Sequence, residues 1–130
     1  MDHQFHVLIA DDHAVYRRLL TAVFESFGCI VTSVTDGAEA LVTPGQFDLI
    51  CLDRHMGSVS GDEVAAKIGS AAFLMACTSD PLGAPADFNV LVTKPFSCAD
   101  IYAAIESARI WRAANGASTW HGSARPSLAA

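Results

Sequence analysis

At 130 residues, 52% hydrophobic and 17% charged, the chain has apolar material for one core and too little for two. Its net charge of -6 and pI near 5.1 argue against nucleic-acid binding, because such modules present a basic face. The cysteines Cys29, Cys51, Cys77 and Cys98 are widely spaced with no C-x-x-C pair, which signals neither a zinc site nor a disulfide framework. They read as buried thiols in a reducing compartment. Met1 runs straight into Asp2 and a strand-like segment without the pattern of a signal peptide, so the expected location is the cytoplasm, away from the membrane.

His6 to Ala10 is an apolar run of strand length. Val15, Leu19, Leu20, Val23 and Phe27 follow at steps of three and four, which predicts a helix with one apolar face that ends at Gly28. Cys29 to Val34 is short and β-branched and reads as a second strand. Asp36 to Val42 predicts a brief helix stopped by Pro44 and Gly45. Phe47 to Leu52 is almost wholly apolar, as a central strand covered on both faces should be. The loop Gly57 to Gly61 leads into a helix over Asp62 to Ile68, and Phe73 to Cys77 and Val90 to Thr93 are the fourth and fifth strands. Ser97, with Asp100 three positions on, caps a last helix that should bury Ile101, Ala104, Ile105 and Ala108. Alternation of this kind predicts an α/β fold, a doubly wound five-stranded parallel sheet with right-handed crossovers. Residues 1–114 are expected to form the domain, and 115–130, rich in Gly, Ser, Pro and Ala, a flexible tail.

One crossover is too short for its helix. Parallel neighbours need about a dozen residues or more between them, whereas Ser79 to Asn89 contains Pro81, Gly83 and Pro85. The helix between the fourth and fifth strands, the fourth of the pattern, is therefore expected to be absent or much shortened.

Three apolar runs end in charged residues: the first in Asp11 and Asp12, the third in Asp53, the fifth in Lys94. On adjacent parallel strands these tips lie together, where open α/β sheets bind their ligands. Crowded carboxylates call for a cation, and an all-oxygen set suits Mg²⁺. A carboxylate beside Mg²⁺ and a lysine can attack phosphorus and form an aspartyl phosphate.

From about His6 to Ala108 the sequence resembles the receiver domain of bacterial two-component response regulators. The matching residues are Ile9-Ala10-Asp11-Asp12-His13, Asp48 to Asp53, Thr78, and Lys94-Pro95-Phe96. The resemblance implies a flavodoxin-like receiver fold. It also implies Asp53 as acceptor of a phosphoryl group from a sensor histidine kinase or a histidine phosphotransfer protein. Asp11 and Asp12 would organise Mg²⁺ together with Asp53 and the backbone carbonyl of His55. Thr78 and Lys94 would contact phosphoryl oxygens, and the Lys94–Pro95 bond would be cis. The protein would signal through a downstream protein partner and catalyse at most its own phosphorylation and dephosphorylation.

The chain departs from that pattern in several places. Gly57 stands where proline is usual, which implies a looser loop, and Leu91 where an aromatic residue commonly couples to Thr78. His55 and Asp80 occupy positions flanking the attacking water. Without its fourth helix the chain is expected to be a monomer, or a weak dimer that does not use the family's usual face.

Plainer readings stand beside these. Asp11 and Asp12 could cap the first helix, His13 and His55 could join the acids around a transition metal, and Cys51 and Cys77 could simply pack the core. Trp111 and Trp120 mark a helix end and a segment that folds back or binds a partner, and Leu128-Ala129-Ala130 resembles the end of a degradation tag. A phosphorylation-independent binding module, a receiver cut from a hybrid histidine kinase, and a phosphatase with an aspartate nucleophile are the alternatives. The last requires an acid where His55 stands.

Overall fold

Five short strands, all parallel, form one sheet in the order β2-β1-β3-β4-β5: β1 (His6–Ala10), β2 (Ile30–Val34), β3 (Leu49–Leu52), β4 (Leu74–Thr78) and β5 (Val90–Thr93). The computed structural model describes residues 3–122. Among the described residues, four α-helices complete the fold: α1 (Ala14–Ser26), α2 (Gly37–Val42), α3 (Gly61–Ile68) and α4 (Cys98–Asn115). One 3-10 turn, Gly69–Ala71, joins α3 to β4. Among the described residues, no helix is long and apolar enough to cross a membrane.

The central strands carry side chains into two cores, because alternate residues of a strand face opposite sides of a sheet. Val7, Ile9, Leu49, Cys51, Met75 and Cys77 face α1 and α4, where Phe24, Ile101 and Ile105 complete the packing. Leu8, Ala10, Ile50, Leu52 and Leu74 face α2 and α3, where Leu41, Val64 and Ile68 meet them. Capping is local and strong: Ser60 with Glu63, and Ser97 with Asp100, form reciprocal capping boxes at α3 and α4.

α1 buries a narrower face than its apolar spacing predicts. Leu20 and Phe24 are buried, whereas Val15 and Leu19 are 53% and 48% exposed. The apolar arc of this helix is wider than the strip the sheet covers, and its leftover part lies beside Pro95, Phe96 and Cys98. Cys98 itself is exposed, a correction to four buried thiols; Cys29, Cys51 and Cys77 are buried and reduced.

The crossover from β4 to β5 contains no helix, as its length requires. Asn89 closes it by pairing twice with Leu74: its side-chain oxygen accepts the Leu74 N–H at 2.8 Å, and its own N–H donates to the Leu74 carbonyl at 2.8 Å. Phe88 covers part of the second core.

The segment after α4 departs from the expected flexible tail over its described part. Residues 116–122 turn back across the sheet's N-terminal edge. Ser118 donates to the Ala71 carbonyl and accepts from the Gln46 side chain at 2.6 Å, the Thr119 N–H donates to Ala71 at 2.8 Å, and Trp120 packs on the second core. Burial of the indole outweighs the backbone freedom that the local composition suggests. The Leu128-Ala129-Ala130 motif lies outside the described residues.

Candidate functional site

The strand order sets the site. β1 and β3 are neighbours although β2 intervenes in sequence, so Asp11 and Asp12 after β1 meet Asp53 after β3 at the point where the winding reverses. β4 and β5 then place Thr78 and Lys94 alongside; Thr78 pairs with Thr93, and the Lys94 N–H donates to the Thr78 carbonyl at 2.9 Å. The Lys94–Pro95 bond is cis.

Lys94 is the hub. Its Nζ donates to Asp11 Oδ2 at 2.8 Å and to Asp53 Oδ2 at 2.9 Å, with Asp11 fully buried and the Lys94 and Asp53 side chains nearly so. Burial alone lowers the pKa of the ammonium, but its hydrogen bonds to Asp11 and Asp53 outweigh that effect and hold it above the usual lysine value. The ammonium also sits 4.5 Å from the centroid of the Tyr16 ring, a cation–π contact that adds to its confinement.

The remaining acceptors of the two aspartates are directed by backbone. Asp11 Oδ1 accepts from the His13 N–H at 2.8 Å, and Asp53 Oδ1 from the His55 N–H at 3.3 Å. Oxygens of Asp11, Asp12 and Asp53 all lie within 4.8 Å of one another, with Asp12 at the exposed mouth. Three carboxylates against one ammonium leave an excess of negative charge, and the donor set is purely hard oxygen. Among the described residues, the cluster able to hold a cation contains no imidazole: His13 is exposed and packs edge-on against Tyr16, and the His55 ring turns to Asp80. The transition-metal reading therefore lacks its ligands.

Thr78 is buried, and its Oγ1 accepts the Asp80 N–H at 3.1 Å. Asp80 Oδ2 lies 2.9 Å from His55 Nε2, an exposed pair at the rim; the hydrogen bond from His55 lowers the Asp80 pKa. The two positions flanking the site thus touch each other.

Sequence reasoning missed three supporting residues. Arg54, next to Asp53, is 6% exposed and grips Asp62 with both ends of its fork, at 3.0 and 2.9 Å. Gly61 lies against the Asp53 carbonyl so closely that a Cβ there would be 2.0 Å from the oxygen. Tyr16 supplies the ring under Lys94. Only Gly61 had a visible signal, a glycine immediately after a helix-capping serine. Gly57 has a φ of +38°, a conformation closed to proline.

Residues 7–80 match the response regulator receiver domain family. Among curated proteins, the sensor protein EvgS of Escherichia coli O157:H7 is 36% identical over 70 residues, covering 52% of this chain and 6% of that protein. Hybrid signal transduction histidine kinase L of Dictyostelium discoideum is 36% identical over 67 residues, covering 48% and 4%. Transcription factor SKN7 of Candida albicans is 35% identical over 69 residues, covering 52% and 12%. The chain therefore spans a small part of the length of these relatives. Among solved structures, the response regulator TrrA of Thermotoga maritima in complex with Mg²⁺ and BeF superposes with a TM-score of 0.75 at 24% identity, covering 81% of this chain and 99% of that one. The receiver domain of sensor histidine kinase PA1611 of Pseudomonas aeruginosa, with magnesium in its cleft, superposes at 0.70 with 23% identity, covering 85% and 97%. The fold is the flavodoxin-like one common to these structures.

Proposed function

The chain belongs to the response regulator receiver domain family, and from that premise we propose that it accepts a phosphoryl group on Asp53 from a phosphohistidine and signals through protein contacts. The observation that carries this reading is the Lys94 ammonium bridging Asp11 and Asp53. A buried lysine held by the acceptor itself is already where a phosphoryl oxygen on Asp53 would need a counter-charge.

In the transfer, an Asp53 carboxylate oxygen forms the O–P bond as the P–N bond to the donor imidazole breaks. The imidazole nitrogen keeps the bonding pair and takes up a proton. The His55 N–H orients the carboxylate, and Lys94 exchanges its contact with Asp53 for one with a phosphoryl oxygen. The Thr78 hydroxyl, whose oxygen accepts the Asp80 N–H, donates its hydrogen to another. Asp11, Asp12 and Asp53, with the His55 carbonyl, would hold Mg²⁺, which when bound neutralises charge on the transferring group. Positioning does most of the work in such a reaction.

The partners implied are a histidine kinase or phosphotransfer protein upstream and a protein target downstream, in the cytoplasm. The test is the intact mass of the chain after incubation with Mg²⁺ and acetyl phosphate, beside Asp53→Asn. A hydroxylamine-labile phosphate adduct on the natural sequence alone supports the reading. The same adduct on Asp53→Asn moves the acceptor elsewhere. If neither acetyl phosphate nor a phosphorylated histidine phosphotransfer protein yields an adduct, a phosphorylation-independent binding module becomes the better reading.

A further inference from the structure

The helix that the β4–β5 crossover lacks is replaced by one side chain. Arg54 directs all five of its N–H donors into the protein. Nε and one Nη2 hydrogen reach the Asp62 carboxylate on the first turn of α3, at 3.0 and 2.9 Å. Nη1 donates to the carbonyls of Asp80 at 2.8 Å and Leu82 at 2.7 Å, and Nη2 also to that of Gly83 at 3.2 Å. In a helix those carbonyls would be satisfied by amides four residues on. Here a guanidinium fork fixed by Asp62 satisfies them, and the loop bends around it.

The same loop carries Asp80 to the mouth of the site. Its contact with His55 joins two side chains that are 54% and 62% exposed, and exposed pairs of this kind hold little on their own. The other anchor, the Asp80 N–H on Thr78 Oγ1, hangs on a hydroxyl that the phosphoryl group itself would engage. Asn89 and Phe88 hold the far end of the crossover, whereas the Asp80–Gly83 stretch is held to α3 by Arg54, which is covalently next to the acceptor. We propose that Arg54 is a positioning residue for phosphoryl chemistry at Asp53: by clamping the Asp80–Gly83 loop it keeps Asp80 and His55 across the approach to the acyl phosphate, and so restrains the water that hydrolyses it.

This inference rests on the phosphoacceptor reading, and its experiment separates the two. The natural chain, Arg54→Met, Arg54→Lys and Asp62→Asn are loaded with acetyl phosphate, the donor is removed, and loss of the adduct is followed by intact mass. Amide hydrogen exchange of Ser79 to Asn89 is measured on the unloaded proteins. Both Arg54 variants are expected to lose the phosphoryl group about threefold faster or more, with faster exchange in the loop. Asp62→Asn, which keeps the guanidinium but weakens its anchor, should fall between. Lysine should not rescue, since a single ammonium lacks the planar fork. Unchanged decay in both Arg54 variants would overturn the positioning role, as would full rescue by lysine. An absence of adduct on the natural chain, from acetyl phosphate and from a phosphorylated histidine phosphotransfer protein alike, would overturn the phosphoacceptor reading and the lifetime role with it. Faster loop exchange would then still identify Arg54 as the clamp.

Discussion

The Lys94 ammonium donates to the Asp53 carboxylate at 2.9 Å across 41 residues of chain, and the second carboxylate it holds, that of Asp11, is fully buried. Removing the ammonium leaves two desolvated carboxylates facing each other. Lys94→Met is expected to cost about 3 kcal/mol of stability in the absence of divalent cations. Part of that loss should return on adding Mg²⁺, because a cation that binds only the folded state stabilises it by mass action. Urea denaturation with and without Mg²⁺ checks both effects; a variant equally stable in EDTA would contradict them.

Alkaline pH should destabilise the fold in two stages. The hydrogen bond to Cys77, then burial, raise the Cys51 pKa well above the ordinary 9.0, and burial raises that of Cys29. Above pH 9.0 the unfolded chain loses these protons while the folded chain keeps them, so stability falls as pH rises, by at most about 1.4 kcal/mol per pH unit for each group and only until its folded pKa is reached. Lys94, raised above 10.5 by its carboxylates, keeps its full contribution below that pH and loses it as pH climbs through the folded value. Cys51→Ala should remove one proton's worth of the slope above pH 9. Denaturation midpoints from pH 7 to 11 measure it, and an unchanged slope would count against the assignment.

Gly61 is required by space, not by backbone conformation. A Cβ at this position would lie 2.0 Å from the Asp53 carbonyl oxygen and 2.8 Å from its carbon, both backbone atoms unable to give way. Gly61→Ala should cost roughly 2 kcal/mol or more. It should also slow phosphoryl uptake, because the shifted atoms belong to Asp53, the acceptor proposed above. Uptake at the natural rate in a destabilised variant would show that the displacement is absorbed by α3 instead.

Trp120 joins the C-terminal segment to the second core, yet its indole Nε1 is buried with no hydrogen-bond partner among the described residues. Trp120→Ala should therefore cost about 2 kcal/mol, a partial version of the full burial loss. Trp120→Phe should cost under about 1 kcal/mol, since it removes an unsatisfied donor along with part of the ring. A chain ending at residue 114 should resemble Trp120→Ala in urea denaturation, and equal stability would show that the segment adds nothing.

Light scattering should find the phosphorylated chain monomeric or only weakly associated. The β4–β5 crossover supplies no helix to flank β5, where Leu91 is 40% exposed. A tight dimer built on β5 and α4 would contradict this expectation.

The sheet, the placing of each charged residue at a strand tip and the absence of a helix over Ser79 to Asn89 were legible in the sequence. Each is a local property: strand periodicity, an apolar run ending in a charge, a crossover too short and too rich in proline and glycine. The reciprocal caps of α3 and α4 are local as well, Ser60 with Glu63 and Ser97 with Asp100 each lying three positions apart. Tertiary packing decided the rest. Which apolar residues of α1 are covered depends on the width of the sheet strip beneath it, which left Val15 and Leu19 at the surface. The docking of Trp120 depends on the second core that α2 and α3 build on the sheet, and on the Ala71 carbonyl that receives the Thr119 N–H. The role of Arg54 was invisible because its partners, Asp62 and three loop carbonyls, are 8 to 29 residues away and pair by shape and not by pattern. Periodicity determines what a residue is next to along the chain; only the closed fold determines which buried donors and carbonyls must satisfy one another.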